Sequence, residues 1–286
     1  ISTVENSLLK RNAALNNTAT MGNFLNNHDD DTLQELLVKK SGLSAEEAYN
    51  LMKVAATLQI TAKGQPVIYY GDELGQAGAN DWPYQTNRRD FDWTELEAQK
   101  TNSNSIYNHY KTMLSIRNAY TDVFARGSRT SILSSDEDGY DVIARSYGDT
   151  TLYVGMNINK KATEVTIPVS AEAGSKMENL YDGNEYTVSA DKTVTVSIPA
   201  AKDGGTVILA EVKKTVDSGK TDPTPEKVSA TSITLDKKTA GKQQNDTKKA
   251  APKSGDDNEA ATYVCLLGLA MVAITAATYR KKRACN

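Results

Sequence analysis

The sequence predicts an α/β chain: the closing units of a parallel sheet or barrel, then an antiparallel β-sandwich, a disordered linker and a C-terminal transmembrane helix. Three observations predict it. Helix-like and strand-like runs alternate over residues 1–126. Short β-branched runs separated by Gly and Asp turns continue to about residue 212. A run without charge, Ala260 to Tyr279, ends at four consecutive cations.

Each element has its own signal. Ile1, Val4, Leu8 and Leu9 fall on one face at helical spacing, with Glu5, Asn6 and Lys10 opposite, so the chain opens on an amphipathic helix. No leader precedes it, and a chain that begins inside a helix is expected to be part of a longer one. Met21–Asn26 reads as a strand that runs into His28-Asp29-Asp30-Asp31. Ser44-Ala45-Glu46-Glu47 has the form of a capping box and starts a helix with Ala48, Leu51, Met52, Ala55 and Leu58 inward. Pro66–Tyr70, apolar between Gly64 and Gly71, predicts a buried parallel strand. A long loop to about Lys100 and a helix from about Ser105 to Ala125 complete this region. Strands are predicted at 140–147, 151–158, 163–169, 193–198 and 206–209, set apart by turns such as Asp182-Gly183 and Asp203-Gly204-Gly205.

Residues 214–256 contain nine Lys, six acids, Pro223, Pro225 and Pro252, and no aromatic residue. Too little apolar surface is available there to offset chain entropy, so a disordered linker is expected. The organisation is thus 1–126 (end of a barrel), 127–213 (sandwich), 214–256 (linker) and 257–286 (membrane span and basic tail). Arg280-Lys281-Lys282-Arg283 after a single apolar span places the tail in the cytoplasm and everything upstream outside.

Composition excludes several classes. The 286 residues carry 33 basic and 36 acidic side chains, a net charge of −3, which argues against a nucleic-acid partner. Both cysteines, Cys265 and Cys285, lie in the last 22 residues, so no disulfide scaffold can form upstream. With His28 and His109 the only histidines, a zinc finger is excluded as well.

In a parallel barrel, chemistry collects where strands end. Two such places carry polar clusters: Phe24-Leu25-Asn26-Asn27-His28-Asp29, and Gly71-Asp72-Glu73 with the following loop of Trp82, Tyr84, Arg88, Arg89, Phe91 and Trp93. Carboxylates, an imidazole and exposed rings suit a carbohydrate, whose hydroxyls take bidentate acceptors and whose faces stack on aromatic planes. Other readings of these residues stay open at this level: Asn-His-Asp also caps helices, Asp72-Glu73 also holds a neighbouring Arg, and Trp82 and Trp93 also pack loops. His109, mid-helix with no partner motif, reads as structural.

Taken together, the two clusters resemble the α-amylase superfamily of glycoside hydrolases. Phe24-Leu25-Asn26-Asn27-His28-Asp29 is similar to the Phe-x-x-Asn-His-Asp region at barrel strand seven. Gly64-Gln65-Pro66-Val67-Ile68-Tyr69-Tyr70-Gly71-Asp72-Glu73 is similar to the Gly-x-Pro-x-Ile-Tyr-Tyr-Gly-Asp/Glu-Glu region on strand eight, and Asn87-Arg88-Arg89-Asp90-Phe91-Asp92-Trp93 to the Arg-rich loop that follows. The resemblance covers about residues 1–212. It implies the last two of eight βα units of a (β/α)8 TIM barrel and a β-sandwich behind them. It also implies a retaining mechanism, with a nucleophilic carboxylate and a general acid on strands four and five, outside this sequence; this chain alone is therefore expected to be inactive. Asp29 would be the third acid, which stabilises the transition state. His28, Asn27, Asp31, Tyr69, Trp82, Tyr84 and Arg88 would bind an α-glucan. No cofactor is expected in this chain, and calcium is expected only in loops outside it. Linkage preference, α-1,4 as in amylases or α-1,6 as in pullulanases, stays open. So does a non-catalytic surface α-glucan-binding protein with a degenerate barrel.

Ala251-Pro252-Lys253-Ser254-Gly255-Asp256, an apolar span and a short basic tail resemble the sorting signal of Gram-positive surface proteins, whose usual form is Leu-Pro-x-Thr-Gly. The resemblance implies cutting by a sortase between Ser254 and Gly255 and linkage to cell-wall peptidoglycan. Ala251 and Ser254 depart from the usual residues, and a permanent single-span anchor is the alternative. Both place the protein on an outer cell surface.

Overall fold

Ser44 opens the longest helix, as its capping box predicts: its hydroxyl accepts the Glu47 N–H at 3.2 Å, and the Glu47 carboxylate accepts the Ser44 N–H at 2.9 Å. Such a cap contributes about 0.5–2 kcal/mol. In the computed structural model, which describes residues 2–14 and 21–212, this helix is the third of six. The helices are α1 (Ser2–Ala14), α2 (Leu33–Ser41), α3 (Ala45–Thr61), α4 (Trp93–Thr101), α5 (Ile106–Ala119) and α6 (Thr121–Arg126). The linker, the motif Pro252-Lys253-Ser254-Gly255 and the run 260–279 lie outside the described residues. Among the described residues no helix is long and apolar enough to cross a membrane.

The predicted α3 face of five residues understates its burial. From Leu51 to Ala62 every residue is buried, so the helix is covered on all sides. Its polar side chains must then find partners. Lys53 donates to Asn104 Oδ1 at 2.7 Å and to the Lys202 carbonyl at 2.9 Å. Thr57 meets Thr206 at 2.7 Å and His109 Nε2 at 3.0 Å. Gln59 donates to the carbonyls of Asn23 and Val67, at 3.0 and 2.9 Å. His109 also meets Tyr181 at 2.6 Å and is 2% exposed, in keeping with a structural histidine.

The two Gln59 bonds hold the ends of β1 (Gly22–Asn23) and β2 (Gln65–Pro66), a parallel pair. The pairing continues as Gln65 N–H to Met21 C=O at 2.7 Å and Val67 N–H to Asn23 C=O at 2.8 Å. Gly64 is required at this crossing: its φ is +104°, and a Cβ there would stand 2.4 Å from the Met21 carbonyl oxygen. Both strands are shorter than predicted, and the second is not buried. Val67 and Tyr70 are exposed, because among the described residues β2 has one partner strand and no element over its outer face.

Three further differences are local. The short helix α2, ended by Gly42 at φ +65°, was hidden in the sequence by the acidic run before it. The loop to Lys100 contains a hairpin, β3 (Asn80–Asp81) and β4 (Tyr84–Gln85), and helix α4. The predicted last helix is two, parted at Tyr120.

Beyond Arg126 the strands are β5 (Ser128–Ser135), β6 (Tyr140–Tyr147), β7 (Thr150–Asn157), β8 (Thr163–Pro168), β9 (Lys176–Asn179), β10 (Glu185–Thr187), β11 (Thr193–Ile198) and β12 (Thr206–Glu211). Six form one antiparallel sheet in the order β10-β9-β12-β7-β6-β5, and β8 pairs with β11 in a second. The large sheet is buried on both faces. Ile143, Leu152, Val154 and Ile208 share a core with Met52, Ile60 and Tyr110 of the helices. Val142, Tyr153, Val207 and Leu209 share another with Val165, Ile167, Val194 and Val196. One hydrophobic core therefore crosses the predicted boundary at residue 126. Arg145 stitches this junction: fully buried, it donates to the carbonyls of Thr61, Val123, Phe124, Gly127 and Ser128 at 2.6–3.1 Å. It supplies donors to the last carbonyls of α3 and α6, where the helical ladders run out.

Candidate functional site

The loop after β1 is shaped by its own asparagines. Asn27 Oδ1 accepts the N–H groups of Asp29 at 2.6 Å and Asp30 at 3.0 Å, and its Nδ2 donates to Asp30 at 2.8 Å. This is the local turn chemistry that Asn favours. It presents His28 and Asp29 outward, with side chains 65% and 69% exposed and His28 Nε2 3.2 Å from Asp29 Oδ2.

The loop after β2 closes on this turn. Asn87 donates through Nδ2 to the carbonyls of His28 at 3.0 Å and Asp30 at 2.9 Å. Arg88 donates from Nε to the His28 carbonyl at 2.8 Å and from Nη2 to Asp29 Oδ1 at 3.4 Å. Asn80, at the base of the hairpin, donates to the Asp29 carbonyl. The peptide groups around Asp29 are thus fixed by three carboxamides, those of Asn27, Asn80 and Asn87.

Deeper, Asn26 donates to Asp72 Oδ1 and accepts the Leu33 N–H at 2.6 Å, and Asp72 Oδ2 accepts the Tyr69 N–H at 3.2 Å. Asp72 is buried, and burial pushes its carboxyl up to about 7 against the pull of the Asn26 and Tyr69 donors. This bridge joins the two motifs behind the site, a role the sequence reading did not give Asp72. Tyr69, pushed up to about 12 by burial and by Tyr70, donates to the Asn87 carbonyl at 3.3 Å.

The predicted residues are therefore brought together unequally. His28, Asp29, Asn27 and Arg88 meet directly, and Tyr69 joins through Asn87. Trp82 and Tyr84 stand at the tip of the hairpin, 84% and 80% exposed, with Asn80 linking its base to Asp29. Asp31 is engaged elsewhere: Oδ1 accepts the Asn80 N–H at 2.7 Å and Oδ2 pairs with Lys39 at 3.1 Å. Burial works against it, but these two partners hold it below the usual carboxylate range. Asn26 and Asn87 stand in the stretches that resemble the family but were given no role from the sequence, and neither was Asn80. Among the described residues no group of three or more His, Cys, Asp or Glu side chains is placed to hold a metal ion.

An exposed carboxylate beside an imidazole and a guanidinium, flanked by open aromatic faces, can bind vicinal hydroxyls and stack a pyranose ring. The fold places this arrangement at the ends of two parallel strands. Solved structures share that fold: an Anoxybacillus α-amylase superposes with a TM-score of 0.56 at 22% identity, over 72% of this chain and 41% of that one. A cyclomaltodextrinase gives 0.56 at 22%, over 73% and 36%. These neighbours are α-amylase TIM-barrel proteins, consistent with a partial (β/α) domain here.

Residues 1–92 match the family model described as "Alpha amylase, catalytic domain". A cyclomaltodextrinase of Geobacillus thermopakistaniensis is 31% identical over 148 residues, which is 52% of this chain and 24% of that protein. An amylopullulanase of Thermoanaerobacterium saccharolyticum is 29% identical over 198 residues, 62% of this chain and 14% of that protein. Over its first 92 residues the chain is thus similar to the catalytic domain of α-amylases. The chain spans about a quarter or less of the length of these curated relatives.

Proposed function

We propose that the chain is the C-terminal portion of a retaining α-glucan hydrolase, acting on α-1,4 or α-1,6 bonds of starch, glycogen or pullulan. The observation that carries this is the cluster of Asp29, His28 and Arg88, set by both loops at the ends of β1 and β2. In this reading Asp29 grips hydroxyls of the sugar whose bond is broken, and its grip strengthens as the ring distorts in the transition state. His28 binds the same sugar, Arg88 orients the Asp29 carboxylate, and Trp82 and Tyr84 take a more distant glucose unit. The nucleophile and general acid come from parts of the protein outside this chain, as does any calcium site.

The test is hydrolysis of amylose and pullulan by the full-length protein beside its Asp29→Asn variant. A contact made mainly in the transition state lowers kcat far more than it raises KM. A drop in kcat of roughly 10²-fold or more is expected, by analogy with other electrostatic transition-state contacts. Unchanged turnover refutes the role of Asp29.

The C-terminal motif supports a cell-surface location: Pro252-Lys253-Ser254-Gly255 as a sortase substrate, peptidoglycan as the acceptor, and residues 260–279 as a membrane span before processing. Pro252→Ala is expected to release the protein from the wall fraction, and retention there counts against the sorting signal.

A further inference from the structure

Among the side chains through which the two loops meet, Asn87 bonds to the residues on both sides of Asp29. Asn87 is 5% exposed and sits on the short turn between the hairpin and α4. Its N–H donates to the Ala79 carbonyl at 3.1 Å, and its own carbonyl accepts from Tyr69. That leaves its carboxamide nitrogen between the carbonyls of His28 and Asp30, the residues on either side of Asp29. Two acceptors at 2.9–3.0 Å require the NH2 end of the carboxamide there, so the orientation is fixed by the chemistry of its neighbours. Its oxygen has no hydrogen-bond partner among the described residues, so both of its bonds to the motif run through the nitrogen.

We infer that Asn87 is the positioning residue of Asp29: a two-pronged donor that clamps the carbonyls of the residues before and after it and so fixes where its carboxylate stands. The inference rests on the function proposed above and deepens it. A carboxylate that must tighten on a distorting sugar works only when its backbone cannot yield, and misplacement by about 1 Å costs on the order of 10²-fold in rate. Arg88 cannot replace the clamp. It reaches the His28 carbonyl and one carboxylate oxygen of Asp29, but it makes no bond to Asp30.

Asn87→Asp keeps the shape and removes both donors, and Asn87→Leu removes them without adding charge. In the full-length protein both are expected to lower kcat on amylose roughly 10–100-fold while KM changes by less than about 3-fold. Thr86→Val, which removes the Ala79 N–H to Thr86 Oγ1 bond of the same turn, controls for simple loosening of the loop and is expected to keep kcat within about 3-fold of wild type. The deciding comparison is the double variant. If Asn87 acts through Asp29, Asn87→Leu lowers kcat little or not at all once Asp29 is Asn. Equal losses in both backgrounds, or a wild-type kcat for both Asn87 variants, overturn the clamp while leaving the role of Asp29 standing. So does a loss in Thr86→Val as large as theirs. Unchanged turnover in Asp29→Asn itself overturns both.

Discussion

Asp72 offers a quantitative test of how the site is built. It lies behind the Asn27–Asp29 turn, is 2% exposed, and joins Asn26 to the Tyr69 N–H. Burial, with a smaller push from Glu73, moves its carboxyl from 3.8 to about 7 despite those two donors. At roughly 1.4 kcal/mol for each pH unit, ionising it costs about 4 kcal/mol more in the folded protein than in the unfolded chain. The folded state thus holds this proton more tightly. Its contribution to stability is full below about pH 4 and is lost as pH rises through 7. Asp141, pushed up to about 6 mainly by burial, works in the same direction. His109, pulled down to about 3 by burial and by Lys53, works in the opposite one: its contribution is present above about pH 6.5 and lost as pH falls through 3. Wild type alone would blend the three, so the measured quantity is the difference between wild type and Asp72→Asn. At pH 4 the folded carboxyl is protonated, and the amide NH2 that takes the place of its hydroxyl cannot accept a hydrogen bond, which costs the variant about 1–3 kcal/mol. Between pH 4 and pH 8 the difference in unfolding free energy is expected to move by about 4 kcal/mol in favour of the variant. Urea unfolding at five pH values across that range measures it. A difference constant to within about 0.5 kcal/mol refutes the reasoning.

Two further outcomes follow from the same contacts. Arg145→Met deprives carbonyls of α3, α6 and β5 of their donor. It is expected to cost about 3–5 kcal/mol, and so to lower Tm by roughly 6–20 °C in thermal unfolding, where a fall below about 3 °C speaks against the junction. Trp82→Ala removes a stacking face worth about 1 kcal/mol, so KM for a long glucan should rise about 5-fold at nearly constant kcat, whereas a larger loss in kcat would place Trp82 at the reacting sugar instead.

The sequence carried strong signals where neighbours are close in the chain. The capping box at Ser44 and the strands at 140–147 and 193–198 appear at the predicted residues: local hydrogen bonds decide the cap, and burial alternates along the second strand and is continuous along the first. It was weaker where partners are distant. β9 and β10, four and three residues long, are too short for alternation to register, and β5 is an edge strand with a largely polar face. The exposure of Val67 could not be read from an apolar run whose burial depends on what packs against it. At the site, the Asn-His-Asp tripeptide and Arg88 drew attention by residue type. Asn80 and Asn87 did not, since an asparagine in a loop looks like ordinary turn chemistry until the chain brings it, 51 or more residues away, against Asp29.

The central claim is that Asp29 and His28 hold one sugar of an α-glucan. A crystal structure of the full-length protein with a bound malto-oligosaccharide tests it most directly. Asp29 Oδ2 and His28 Nε2 are expected each within about 3 Å of hydroxyls of the same glucose unit, with Arg88 still on Asp29 and a further unit against Trp82 or Tyr84. An oligosaccharide bound in the cleft with no contact to Asp29 or His28 would contradict it.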